Sequence, residues 1–303
     1  MEISKKSLTL QLSINNIFKM SSTDNIAIAF VLFNPEENEL IHIQRIANIY
    51  KGSIVDNSSQ SNFFGNTVGK MSYISLHKNT GIAKAQNIAI KSILLDHTIE
   101  HIIFFDQDSC FGENYPKQIL NEFIQIKKTY PNLAILGPTI INKDNKKEYK
   151  SIIHKDIKGD NGFIFKKEII SSGSCVCIKT FYDVGFFEEK LFIDFVDCEW
   201  CFRAISKGYL CGITSHLKIE HQVGKNQKNI GGHTIIFSAP PRYYYQYRNF
   251  LILLTRNYTP LAFKLGKGTK FLLRLIYFPF IKGGFQRWKY MWKGIFAWFK
   301  LKL

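Results

Sequence analysis

The sequence predicts an α/β protein: a mostly parallel central sheet with helices on both faces, followed by a basic, aromatic-rich helical extension. Between residues 26 and 137, apolar runs of strand length alternate with segments of helical spacing. The charge also divides the chain. No Asp or Glu follows Glu220, yet 15 Lys and Arg do, which leaves 25 basic against 24 acidic residues up to that point. A near-neutral body therefore precedes a wholly basic tail.

Residues 1–24 read as a lead-in, mobile or weakly helical. Ile26 to Phe33 is a continuous apolar run stopped by Asn34-Pro35, as a buried strand should be. Leu40, Ile43, Ile46, Ala47 and Tyr50 fit one face of a helix over 36–50. Ser53-Ile54-Val55 is a second strand ending in Asp56-Asn57-Ser58, and Tyr73 to Leu76 a third, followed by Asn79-Thr80-Gly81. A helix follows over 82–95. Ile102 to Phe105 is the next strand, and Asp106-Gln107-Asp108-Ser109 comes directly after it. A helix over about 115–129 leads to the strand Leu133 to Leu136, closed by Gly137-Pro138. In such sheets the polar residues just past the strand ends line the ligand crevice. Here these are Asn34, Asp56, Asn57, Asn79, Asp106 and Asp108. No G-x-G-x-x-G and no G-K-[ST] is present, which excludes the dinucleotide fingerprint and the P-loop.

Asp106 and Asp108 repel one another unless water solvates them or a cation sits between them. At a strand end, that spacing points to a divalent metal serving a phosphorylated substrate. A D-x-D also occurs as a solvated turn.

Residues 142–162 read as a lysine-rich exposed loop, and strand signals return at 163–166 and 174–179. Asp194 is placed to cap a helix running to about Lys207 and ended by Gly208. On it, Glu199 and Arg203 stand one turn apart and can pair. Asp197 falls in the first turn, where the helix dipole alone favours an acid. Leu217 to His221 reads as a strand ending in a His, which is commonly structural. Residues 240–257 begin a helix carrying Arg242 and Arg248, and arginine is well shaped to grip a diphosphate. They also fit a basic surface helix. The six cysteines sit in apolar or helical patterns, and Met1 to Met20 shows no continuous apolar run. They are expected as reduced thiols of a cytosolic protein. Cys175-x-Cys177 with Cys198-x-x-Cys201 is an alternative zinc spacing that lacks knuckle glycines.

Taken in order over roughly 26–257, these motifs resemble the family 2 inverting glycosyltransferases of the GT-A fold, and within them the bacterial rhamnosyltransferases of polysaccharide assembly. The resemblance rests on Phe33-Asn34-Pro35, Val55-Asp56-Asn57-Ser58, Asn79-x-Gly81-Ile82-Ala83-x-Ala85-Gln86-Asn87, Asp106-Gln107-Asp108-Ser109 and Gly137-Pro138. It continues through Leu191-Phe192-Ile193-Asp194-x-x-Asp197-x-Glu199-Trp200-Cys201-x-Arg203, His221-x-x-Gly224 and Arg242-x-Tyr244-Tyr245-x-x-Arg248-Asn249. It implies a Rossmann-like GT-A domain over 25–257 that transfers a sugar from a nucleotide donor, dTDP-rhamnose being the expected one, to a glycan or lipid-linked glycan. Asp56 is expected to bind the nucleotide base, with Asn34 and Asn79 nearby. Asp106 and Asp108 are expected to hold Mg²⁺ or Mn²⁺, with His221 a further ligand. Arg242 and Arg248 are expected at the diphosphate, Glu199 and Trp200 at the acceptor, and Asp197 as catalytic base. The family wording before the base is Glu-Asp; here it is Val196-Asp197.

Residues 258–303 lie outside the resemblance. Their apolar stretch Phe271 to Ile281 is too short, and too interrupted by Arg274 and Pro279, to span a bilayer. Trp288, Tyr290, Trp292, Phe296, Trp298 and Phe299 among five Lys or Arg read as an interfacial anchor on an anionic membrane. The expected place is thus the inner face of the cell membrane. Packing against the body or a partner chain is the alternative. The charge alone also fits nucleic acid, but no nucleic-acid motif surrounds it. A non-catalytic scaffold of the same fold is the remaining reading.

Overall fold

The computed structural model describes residues 25–142, 148, 157–221, 227–230 and 233–302. The expected lead-in over 1–24 and most of the loop at 142–162 lie outside them.

The chain opens with β1 (Ile26–Leu32), α1 (Glu37–Ile49), β2 (Gly52–Asp56), β3 (Thr67–Val68), β4 (Met71–Ser75), α2 (Ile82–Ile93) and β5 (His101–Asp106). It continues with α3 (Tyr115–Thr129), β6 (Leu133–Asn142), β7 (Ile157–Lys158), β8 (Phe163–Phe165), β9 (Cys175–Cys177), α4 (Ile178–Val184), α5 (Val196–Ser206) and β10 (Leu210–His221). A hairpin of β11 (Gln227–Ile230) and β12 (His233–Ile236) precedes α6 (Pro240–Leu254), α7 (Leu261–Tyr277) and α8 (Gly284–Lys302). The expected strands and helices match closely. The main difference is β10, which begins seven residues before the expected Leu217.

Among the described residues, ten strands form one sheet in the order β3-β4-β2-β1-β5-β9-β6-β10-β8-β7. The pairs β1–β2, β1–β5, β2–β4 and β6–β10 are parallel. β9 runs antiparallel between β5 and β6. The alternating order predicts the parallel half; it does not predict that a short later strand splits β5 from β6.

β1 is buried along its whole length, as a central strand covered on both faces must be. Ile26, Ile28, Phe30 and Leu32 face one core with α1 and α3. Ala27, Ala29 and Val31 face the other, against Ala83, Ala85 and Ala89 of α2. Small residues on both sides let that helix lie close to the sheet.

The C-terminal helices pack on this body. The Tyr247 ring of α6 stacks on Phe271 of α7 with centroids 4.6 Å apart, and its hydroxyl donates to the Phe271 carbonyl at 2.8 Å. α8 lies so close to α6 that a Cβ on Gly294 would stand 2.3 Å from the Tyr244 carbonyl oxygen. Among the described residues, no helix is long and apolar enough to cross a membrane.

Candidate active site

The carboxyl ends of β1, β2, β4 and β5 are nearly flush. Leu32 pairs with Asp56, Asp56 with Ser75, and Val31 with Asp106. Polar residues that follow these strands therefore meet at one end of the sheet. Hydrogen bonds tie the loops together. Asn57 Nδ2 donates to Asn79 Oδ1 at 3.0 Å, and the Asn34 N–H donates to Ser58 Oγ at 2.8 Å. The Phe33 N–H donates to Gln107 Oε1 at 2.6 Å, while Gln107 Nε2 donates to Glu39 of α1. Gln107 thus turns toward α1. Asn34 and Asn79 are exposed at the mouth, with Asn34 in a left-handed conformation.

Asp56 sits deeper than a side chain that simply lines the mouth. It is fully buried, and its two oxygens accept from the N–H groups of Ser58 and Asn62, from Asn62 Nδ2 and from the Tyr73 hydroxyl at 2.6 Å. Burial by itself would raise its pKa. The hydrogen bonds from Tyr73, Ser58 and Asn62 outweigh it and hold the carboxyl below its ordinary range. In this state Asp56 shapes the 57–62 loop.

Asp106 is partly exposed at the end of β5, and Asp108 is exposed on the turn closed by the Ser109 N–H to the Asp106 carbonyl. Beside them lies a serine-rich segment. Ser172 Oγ is 2.6 Å from Ser109 Oγ, and the Gly173 N–H donates to the Phe104 carbonyl at 2.7 Å. This lashing brings the Ser171 N–H to Asp197 Oδ2, 3.3 Å away. Desolvation, then the Asp106 carboxylate, push the Asp197 pKa up to about 7, against the hydrogen bonds from Ser171. Asp106 and Asp197 therefore face a common space.

The segment before α5 is strained. Phe192, Asp194 and Phe195 all have φ between 63° and 66°, a region that bulky residues seldom occupy. The helix N-cap is Phe195, not the expected Asp194. Asp194 instead meets Arg242, whose Nε lies 3.1 and 3.0 Å from the two carboxylate oxygens. Burial opposes the Arg242 charge; the Asp194 carboxylate, helped by Asp106, more than offsets this and raises its pKa. Arg242 thus stands at the Asp106 end of the crevice.

Arg248 points elsewhere. Its Nη2 donates to the carbonyls of Lys190 and Leu191 at 2.6 and 2.9 Å, and its Nε to Asn249 Oδ1. Asn249, fully buried, sends Nδ2 to the carbonyls of Leu191, Ile193 and Asp194 at 2.7, 2.7 and 3.1 Å. Together they clamp the strained segment. Gly81 matters here too: at φ +88°, a Cβ on it would lie 2.6 Å from the Phe192 ring. The roles of Ser171 and Asn249 were not visible in the sequence; the Arg-Asn that ends the α6 motif was the available signal.

Glu199 and Trp200, expected at the acceptor, both turn into the core. Glu199 is buried; its Oε1 accepts from Arg203 Nε at 2.8 Å and the Tyr258 hydroxyl at 2.7 Å, and its Oε2 from Arg203 Nη2 at 2.9 Å. Trp200 is 1% exposed, and its Nε1 donates to the Gly185 carbonyl. The reason is helical geometry: the one partly exposed acid of this first turn is Asp197, and positions 199 and 200 fall on the packed side. His221 ends β10, and its side chain lies outside the described residues.

The cysteines are free thiols. Burial pushes Cys175 and Cys198 well above the ordinary thiol pKa, which favours the neutral thiol over a thiolate ligand. Among the described residues no three His, Cys, Asp or Glu side chains gather as a metal cluster, so the zinc alternative finds no support there. Cys110, two residues past Asp108, is the exposed thiol of the six.

No protein-family model matches the chain. It is 37% identical over 253 residues to a dTDP-rhamnosyl transferase, RfbF, of Shigella flexneri, covering 78% of this chain and 82% of that relative. Among solved structures it resembles S. aureus TarS 1-349 in complex with UDP-GlcNAc, with a TM-score of 0.55 and 13% identity over 87% of this chain and 78% of that one. Against a longer TarS structure the TM-score is 0.50 at 14% identity, and the chain spans 44% of that protein. At such identities the likeness establishes a shared GT-A fold.

Proposed function

The chain belongs to the glycosyltransferase family of the rhamnosyltransferase RfbF, and from that premise we propose that it moves L-rhamnose from dTDP-rhamnose to a hydroxyl of a glycan or lipid-linked glycan, with inversion, at the inner face of the cell membrane. The observation that carries the reading is the place of Asp197, held by the Ser171 N–H at 3.3 Å near enough to Asp106 for that carboxylate to help raise its pKa to about 7. A general base works best when its pKa lies near the working pH.

In this reading Asp197 takes the proton of the acceptor hydroxyl. That oxygen attacks the anomeric carbon from the face opposite the diphosphate, whose bond to the sugar breaks, so one displacement inverts the centre. Arg242, close to Asp106, draws the diphosphate to this end of the crevice. Asn249 and Arg248 fix the backbone that delivers Asp197.

A Mg²⁺ or Mn²⁺ fits the oxygen donors of Asp106 and Asp108, hard ligands that leave positions for phosphate oxygens. The like charge of Asp106 and Asp197 favours a cation beside them. His221 is the further candidate ligand. When bound, the cation neutralises charge on the departing nucleoside diphosphate.

Thermal melting with nucleotide sugars tests this, since a ligand that binds the folded state raises its melting temperature. We expect a shift with dTDP-rhamnose that needs Mn²⁺ and is lost in Asp108→Ala. A shift confined to UDP- or GDP-sugars would remove the rhamnosyl assignment. No shift with any donor would favour the scaffold.

A further inference from the structure

Among the described residues, helices α7 and α8 each spend one face on the body and leave the other unpartnered. On α7, Phe263 and Phe271 point inward, packing on Phe195, Phe202 and Phe250. The opposite stripe carries Leu261, Leu265, Leu272 and Ile276, spaced 4, 7 and 4 residues apart and each at least 60% exposed. That spacing puts them on one side of a helix. The positions interleaved on that side are Ala262, Gly266, Gly268, Thr269 and Leu273, so the stripe contains no charge.

α8 repeats the pattern with aromatic residues. Met291 is fully buried, while Phe285, Trp292, Phe296 and Phe299 are exposed. Spacings of 7, 4 and 3 align them too. Trp288, Trp292 and Phe296 line a groove rimmed by Lys289 and Lys293. Lys289 lies 4.8 Å over the Phe285 ring.

Exposed apolar stripes of this length mark an interaction surface, and the Trp288 Nε1 hydrogen bond to the Leu275 carbonyl at 3.0 Å joins the two helices. The surroundings say what covers it. From 258 to 303 there are ten Lys and Arg and no acid. Lys264 borders the α7 stripe, Lys267 and Arg274 lie over the inward Phe263 and Phe271 rings, and Lys282, Lys289, Lys293 and Lys300 accompany α8. Exposed apolar and aromatic side chains on a segment that carries one sign of charge complement the headgroup layer of an anionic bilayer.

We propose that the outer faces of α7 and α8 form one docking surface that lies in the interface of an anionic phospholipid membrane. This deepens the preceding reading, resting on it only for the choice of a lipid-linked acceptor. The inner face of α7 also reaches the catalytic segment: the Phe195 ring, two residues before Asp197, packs 5.6 Å from Phe263 and 6.2 Å from Phe271. Docking thus holds the base loop near the membrane.

The test uses the full chain, with sedimentation on vesicles of phosphatidylcholine alone or with 30% (about one lipid in three) phosphatidylglycerol. We expect binding to the anionic vesicles at least roughly tenfold tighter, weakened by salt. The triple variant Leu265→Glu, Leu272→Glu, Ile276→Glu is expected to lose about tenfold or more. These side chains are exposed, so its melting temperature should hold, as should its turnover of a soluble acceptor. Equal binding of variant and native protein overturns the proposal, as does indifference to phosphatidylglycerol. So does a concentration-dependent dimer that the triple variant dissociates, which would make the face a contact between copies. Loss of soluble turnover in the native protein would fail the enzymatic reading instead, and leaves the vesicle result to stand.

Discussion

Ser171 donates its backbone N–H to Asp197 Oδ2 across 3.3 Å, yet the carboxyl still titrates near 7 because desolvation and Asp106 prevail over that bond. A cation beside Asp106 would offset that carboxylate's part of the rise, so turnover should increase with pH along an acid limb centred below about 7, as the base loses its proton. Asp197→Asn should lower kcat roughly 10²–10⁴-fold while leaving donor binding intact. Rate–pH profiles beside donor-induced melting shifts separate the two effects; near-native turnover in the variant would remove Asp197 as the base.

The same carboxyl sets a stability trend. Its folded pKa lies above its ordinary value of 3.8, so between about pH 4 and 7 the folded state holds a proton the unfolded chain has released. Stability contributed by this group falls as pH rises through that window, by up to about 4 kcal/mol. Asp197→Asn should thus match the native protein near pH 4 and melt higher at pH 8. Melts in chelator, which keep cations off Asp106, check this. An unchanged difference at the two pH values would contradict it.

Asn249→Ala strips three carbonyls of one donor next to residues in left-handed backbone. We expect a loss of about 2–4 kcal/mol in stability. Turnover should drop on the order of tenfold or more, because a base displaced by an ångström is badly aimed. Donor KM should move much less. A variant that loses stability but keeps kcat would show the clamp to be structural alone.

Glu199→Gln leaves the partly buried Arg203 guanidinium without its main counter-charge. Breaking one side of a fully buried pair costs about 3–5 kcal/mol; with Arg203 partly exposed the cost should be about half that, so the melting temperature should fall by a few degrees while acceptor KM holds. A rise in acceptor KM without loss of stability would restore Glu199 to the acceptor site.

The sequence made the parallel half of the sheet legible because its strands are continuous apolar runs with polar stops, and those stops are the crevice. Asp106 and Asp108 could be placed for that reason, whereas Asp197 and Arg242 are expected only from the family resemblance. Glu199 shows where legibility ended. A carboxylate two residues from the base reads as part of the site, and its partners Tyr258 and Arg203 become visible only when a distant loop is brought to it. Arg248 misleads in the same way: a guanidinium near a phosphate site suggests a ligand contact, whereas bare carbonyls at 190 and 191 claim it first. The insertion of β9 between β5 and β6 has no local signature, since three residues of strand carry no order.

Cys110 gives the molecule a built-in attachment point. The other five thiols are buried or partly covered, and burial keeps Cys175 and Cys198 protonated. A maleimide dye under mild conditions should therefore settle on one position, two residues beyond Asp108. Fluorescence from that label would report whether the D-x-D turn responds when the proposed cation and nucleotide donor are added, with no engineered cysteine. The same exposure makes this turn the first place an oxidant or alkylating agent would reach a thiol of the chain.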